Sequence, residues 1–194
     1  MREAVIVTAA RTPIGKAYRG AFNNLESPSM ASVAVKAAVE RSGIDPKEVD
    51  DCIMGAALQQ GTQGFNLGRQ VAMASGLPVS VAGMTIDRQC SSGLMTIATG
   101  AKHLINDNAP ITIAGGCESI SLVQNEHMNS HRIGDPLTIQ NAPTIHMPML
   151  DTAETVAKRY NISREAQDEY AVASQDRTAS AQMAGYFDDE IVPV

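Results

Sequence analysis

The sequence predicts an α/β fold, a sheet with helices on both faces. Three observations carry this. Short apolar runs of strand length recur at residues 4–10, 50–57, 84–87 and 111–114. Helical apolar spacing fills the intervals at 29–42, 66–75 and 92–105. The connections are short and punctuated by Gly and Pro, so strands alternate with helices.

Residues 4–10 hold Val5, Ile6 and Val7 and end at Arg11-Thr12-Pro13, the pattern of a short buried strand. In 29–42, Met30, Val33, Ala34, Ala37 and Ala38 keep helical spacing, with Ser27 or Ser29 near the cap and Gly43 as the stop. The run DDCIMGAA at 50–57 reads as a second strand. A loop from Gln59 to Gly64 follows, then a helix over 66–75 stopped by Gly76 and Pro78. A short strand at 84–87 leads to Cys90, a helix follows at 92–105, and Pro110 precedes a strand at 111–114.

The pattern changes after Gly116. Residues 119–150 are rich in Asn, His, Met and Pro without a period and read as an extended loop region, a type of segment that is often functional. Two helices follow, at 152–160 and 164–184. The second has Ser163 as N-cap, Glu165 in its first turn and Gly185 just past its end. The chain reaches EIVPV as another extended segment begins, so the sequence reads as cut.

The chain has 194 residues, 44% hydrophobic, enough for one sizeable aliphatic core. A net charge of −6 argues against a general nucleic-acid surface. No apolar run is long enough to span a membrane, and AVIVTAA begins too early for a secretory leader. Three cysteines form no framework spacing and read as reduced thiols, which points to a cytoplasmic setting or to an organelle after removal of a transit peptide.

Cys90, in DRQCSSGL, stands where a strand turns sharply into a helix. The first N–H groups of a helix and the positive end of its dipole favour a thiolate at such a turn. A small buried hydrophobe is the alternative reading of any free cysteine. Gly93 keeps side-chain bulk away from a group carried on sulfur. Cys52, inside an apolar strand, reads as structural. Cys117 reads as packed among small residues, with reactivity as the second option.

His127 and His131 are four apart and neighbour Glu126, but the order differs from HExxH and no third ligand is evident, so no metal is assigned. His103 reads as a surface residue, and the role of His146 stays open. Gly15-Lys16 lacks the upstream glycine of a phosphate loop. Gly61, Gly64 and Gly68 fit either tight backbone packing or an anion loop. Met147 and Met149 fit either core filling or an apolar channel for a flexible ligand. No histidine has the setting of a general base, which a cysteine nucleophile needs.

DRQCSSGL, the opening AVIVTAARTPIGK, GAALQQGTQGFNLGRQ, AGGCESIS and the stretch from TAETVAKRYNISREAQDEY to EIVPV together resemble the thiolase family, from one end of the chain to the other. The resemblance implies a three-layer αβα fold with a mixed sheet, incomplete here. Residues 1–118 would be an N-terminal core lacking its last strand. Residues 119–194 would be a helical loop region that covers coenzyme A and makes tetramer contacts. It implies acyl transfer in cleavage of 3-ketoacyl-CoA or in Claisen condensation, with Cys90 as the acylated nucleophile and Met149 beside the pantetheine and acyl pocket. Coenzyme A is then a substrate and no resident cofactor is implied. The histidine base and cysteine acid of the family lie in a C-terminal half whose motifs are absent here. The implied partners are that half, or a second chain carrying it, and further copies in a dimer or tetramer. Ser91 and Leu150 stand where many members have Gly, which leaves acyl-chain preference open. A non-catalytic acyl-CoA-binding half and a ketoacyl-synthase-like condensing enzyme are the alternatives.

Overall fold

The computed structural model describes residues 2–194 in two compact units. One runs to Asn129 and includes Glu190–Val194, and the other is Ser130–Asp189.

The first unit is built on three parallel strands, β1 (Val49–Gly55), β2 (Ala82–Ile86) and β3 (Ile111–Gly116), in the order β2-β1-β3. Helices α1 (Ser27–Ser42), α2 (Leu67–Ala74) and α3 (Ser92–Asn106) complete it, with α4 (Ile120–Val123) after β3. The chain steps from β1 through α2 to β2, then crosses β1 through α3 to reach β3. Right-handed crossovers in opposite directions put the two helices on opposite faces of a sheet.

Side-chain alternation in β1 agrees with this placement. Cys52 and Met54 join Val35 of α1 and Leu67 and Val71 of α2 in one buried cluster. Ile53, also buried, points to the other face. A strand covered on both sides reads as a continuous apolar run, which is how CIM appears in the sequence. Burial of each such large side chain contributes roughly 1.5–3 kcal/mol.

Local signals set the helix ends. Pro28 sits in the first turn of α1, which starts at Ser27, two residues earlier than expected, and no side chain caps it. Gly43 ends α1 in the left-handed conformation, with φ 67°. Asn66 caps α2, its side chain accepting from the Arg69 N–H at 3.1 Å.

Residues 4–10 depart from the expected buried strand. Their backbone is extended but lies in no ladder, and Val5, Ile6 and Val7 are 71%, 80% and 69% exposed. The neighbouring residue Arg11 makes an isolated bridge with Ile191, and its side chain donates to Glu190 at 2.8 Å. Strand propensity in 4–10 is therefore not matched by a paired strand among the described residues, although the Ala9 carbonyl accepts from the Arg41 side chain at 3.1 Å. The three described strands pair in parallel, and no antiparallel strand of the expected mixed sheet is among the described residues.

In the second unit, α5 (Pro136–Asn141), α6 (Met149–Arg159) and α7 (Arg164–Met183) follow one another. The stretch expected to be loop thus contains short helical turns. Asp135 caps α5, and bonds from the Thr138 N–H and hydroxyl hold its carboxyl below the usual range. Ser163 caps α7 by accepting from the Ala166 N–H at 3.1 Å. The helix ends at Gly185, with φ 72°, through bonds from Gly185 to Gln182 and from Tyr186 to Ala181. That is the paired closure expected around a C′ glycine. Among the described residues, no helix is long and apolar enough to cross a membrane.

Candidate active site

The carboxyl ends of β1, β2 and β3 lead into three connections on one edge of the sheet, where ligands bind in open α/β folds. The connection after β2 carries Cys90. Gln89 has φ 49°, so the chain reverses there before α3 begins at Ser92. The Ser91 and Ser92 N–H groups donate back to the carbonyls of Arg88 and Gln89 at 3.1 and 3.0 Å. Ser92 Oγ closes the turn by accepting from the Arg88 N–H at 2.8 Å and donating to the Gln89 carbonyl at 2.6 Å. The Ser91 hydroxyl donates to the Arg88 carbonyl, so it does not cap α3. The positive end of the α3 dipole is therefore left uncapped beside the residue that carries the thiol.

Cys90 is exposed. The other two thiols differ from it in kind. Cys52 lies in the core, and burial, reinforced by Asp51, pushes its pKa up to about 12. Burial likewise pushes Cys117 up to about 12, against a weak bond from its thiol to the Ser27 carbonyl at 3.6 Å. Both remain protonated at neutral pH, as their structural reading requires.

Two glycines form the floor under the Cys90 turn. A β-carbon on Gly55 would stand 2.5 Å from the Ser92 carbonyl carbon, and one on Gly116 would stand 3.3 Å from Gly93 Cα. The first turn of α3 thus rests directly on the ends of β1 and β3. Thr96 ties it down by donating to the Gly115 carbonyl at 2.9 Å. Gly93 itself has only Gly116 Cα, at 4.0 Å, near its missing β-carbon.

A polar tie joins the connections after β1 and β3. Gln63, 1% exposed, donates to the Leu58 carbonyl at 2.9 Å and to Glu118 at 2.5 Å. Its oxygen accepts from the Ser27 hydroxyl and the Ser119 N–H. Glu118 also accepts from the N–H groups of Ala57 and Leu58, at 2.8 and 3.3 Å. Sequence reasoning missed both residues. Glu118 could have been found from its place after Cys117 at a strand end, whereas nothing distinguishes Gln63 from the other loop glutamines.

His103 lies in the last turn of α3, 3.9 Å from Asp51, and is partly buried, not a freely solvated surface residue. Burial raises the pKa of Asp51. His127 faces Glu126 at 3.6 Å, both exposed, outside any helix. Among the described residues no cluster of His, Cys, Asp and Glu could hold a metal ion. Met149, in the second unit, is the exposed first residue of α6.

The sequence model of the thiolase N-terminal domain matches residues 4–194. The chain is 42% identical to the 3-ketoacyl-CoA thiolase of Bacillus subtilis, over all of this chain and 49% of that protein. It is 41% identical to the acetyl-CoA acetyltransferase of Cupriavidus necator, over all of this chain and 51% of that protein. The crystal structure of the Bacillus anthracis acetyl-CoA acetyltransferase superposes with a TM-score of 0.86 at 37% identity, covering 99% of this chain and 50% of that one. The chain spans about half the length of the curated relatives it matches.

Proposed function

The chain belongs to the thiolase family, and we propose that it is the acyl-accepting part of an acyl-CoA C-acyltransferase. The observation that carries this reading is the contrast among three thiols: Cys90 stands exposed at an uncapped helix start, while Cys52 is buried, Cys117 is half-buried against the core, and both are held protonated.

In the proposed reaction the Cys90 sulfur attacks the keto carbon of a 3-ketoacyl-CoA. The bond between that carbon and its neighbour breaks, and the electron pair leaves on acetyl-CoA, which takes up a proton. Coenzyme A then attacks the thioester carbonyl, and the shortened acyl-CoA departs as the Cys90 thiol is restored. Run backwards, the steps form a carbon–carbon bond by Claisen condensation. The backbone N–H of Cys90 itself is the natural donor to the carbonyl oxygen as it gains charge, since the N–H groups of Arg88, Gln89, Ser91 and Ser92 are engaged within the turn, and one such donor supplies about 3 kcal/mol. Met149 is proposed to line the pantetheine and acyl channel, where a flexible thioether adapts to the ligand.

The proton-transfer groups are proposed to come from a second segment, equivalent to the other half of the relatives. The assembled enzyme is proposed to be a dimer or tetramer that uses coenzyme A as substrate and needs no resident cofactor. A thiolysis assay tests this. The chain mixed with a polypeptide carrying the other half should cleave a 3-ketoacyl-CoA, and Cys90→Ala should abolish cleavage. Equal activity from the chain alone, or from the Cys90→Ala mixture, contradicts the reading.

A further inference from the structure

We propose that Glu118 is a positioning residue for acyl transfer at Cys90, acting through the floor beneath α3. This rests on the reading of Cys90 given above. Glu118 touches no part of the Cys90 turn in the hydrogen-bond pattern. Its carboxylate is occupied by the Ala57 and Leu58 N–H groups and the Gln63 side chain.

Its position gives those bonds their consequence. Ala57 lies two residues past Gly55, and Glu118 lies two past Gly116. Gly55 and Gly116 carry the first turn of α3. The Cys117 N–H donates to the Gly55 carbonyl at 3.0 Å, the last backbone tie before the two connections diverge. Beyond that point the carboxylate and Gln63 tie the first residues of the two connections, and a bond from the Asn129 N–H to Gln60 Oε1 at 2.7 Å joins them again farther along. Two backbone N–H donors and one amide donor converge on one acceptor group, and charge-assisted bonds of this type are about twice as strong as neutral ones. Without that acceptor the connections just past β1 and β3 lose three bonds, and the seat of α3 between them is held less firmly.

The replacement chemistry makes the role testable. Glu118→Gln keeps the shape but turns one acceptor oxygen into a donor NH2. That donor meets either the backbone N–H groups or the Gln63 amide, so one side of the clamp is lost. Removal of a nearby negative charge favours a thiolate, so an electrostatic role alone predicts an equal or faster reaction at Cys90. A positioning role predicts a slower one. Acyl transfer needs sulfur, carbonyl and N–H donors in register, and small misplacements are costly. Alkylation by a small diffusible reagent needs only an exposed thiol.

The test compares the wild-type chain with Glu118→Gln and Glu118→Asp, each mixed with a polypeptide carrying the other half of the relatives, in two reactions, acetylation of Cys90 by acetyl-CoA and its alkylation by iodoacetamide, both quantified on the Cys90 peptide by mass spectrometry. In the first reaction Cys90 sulfur displaces coenzyme A from the thioester carbonyl, and the released thiolate takes up a proton. Glu118→Gln should slow acetylation about tenfold or more and leave alkylation within about twofold. Glu118→Asp, which keeps the charge at shorter reach, should fall between and carries the comparison if Glu118→Gln does not fold. Acetylation at the wild-type rate in folded Glu118→Gln overturns the assignment, as does an equal loss in both reactions. If the wild-type mixture takes up no acetyl group, the reading of Cys90 fails first and the role of Glu118 fails with it.

Discussion

Gly55 and Ser92 meet with no room between them: a β-carbon on Gly55 would stand 2.5 Å from the Ser92 carbonyl carbon. The end of the central strand is thereby the seat of the helix that follows Cys90. Gly55→Ala must push α3 off this seat, because the obstructing atoms are backbone and cannot rotate away. The expected cost is about 1–3 kcal/mol in urea unfolding, the usual range for overpacking. The same variant should lose acylation of Cys90 more than it loses alkylation.

Gln63 predicts a second cost of a different kind. Its amide is buried and bonded on both sides. Gln63→Leu keeps much of the volume but strips partners from the Leu58 carbonyl and the Ser119 N–H. Urea unfolding should show a loss of about 2 kcal/mol or more. Gln59→Leu, whose side chain makes only a 3.4 Å bond to the Ala56 carbonyl, should cost much less.

The thiols predict a pH signature. Cys52 and Cys117 each rise from 9.0 to about 12 on folding. Between those values the native state keeps two protons that the unfolded state releases. Stability contributed by these groups is full below pH 9 and falls as pH rises toward 12. Cys52→Ala/Cys117→Ala should flatten that alkaline decline in denaturation curves taken at successive pH values. Native labelling at pH 8 should mark Cys90 first, with Cys52 and Cys117 reacting only after denaturant is added.

Ser163 gives a local prediction in the second unit. Its hydroxyl caps α7 through the Ala166 N–H. Ser163→Ala should cost about 1 kcal/mol, read as a lowered unfolding midpoint of the helical signal, with acylation at Cys90 unaffected.

The alternation of elements was legible because each boundary carries a strong local signal. Gly43 stops α1, Asn66 opens α2, and Ser163 and Gly185 bracket α7. The Cys90 turn was legible for the same reason. Pairing was not. Val5, Ile6 and Val7 have strand propensity, but burial depends on a neighbouring strand, and periodicity within one segment does not supply it. Gln63 and Glu118 were hidden because the bonds that join the two connections span 55 to 61 residues of sequence and mostly use backbone N–H donors, which carry no residue-type signal. The start of α1 was missed because Pro28 substitutes for a capping side chain.

The most direct test of the account is acetyl transfer to the folded chain. Acetyl-CoA is incubated with wild-type chain and with Cys90→Ala, each mixed with a polypeptide carrying the other half of the relatives, and the digested peptides are mapped by mass spectrometry. The account predicts one acetyl group per chain, on the Cys90 peptide, released by added coenzyme A and absent in Cys90→Ala. Acetyl groups on Cys52 or Cys117 in the native protein, or no acetylation of Cys90, would contradict it.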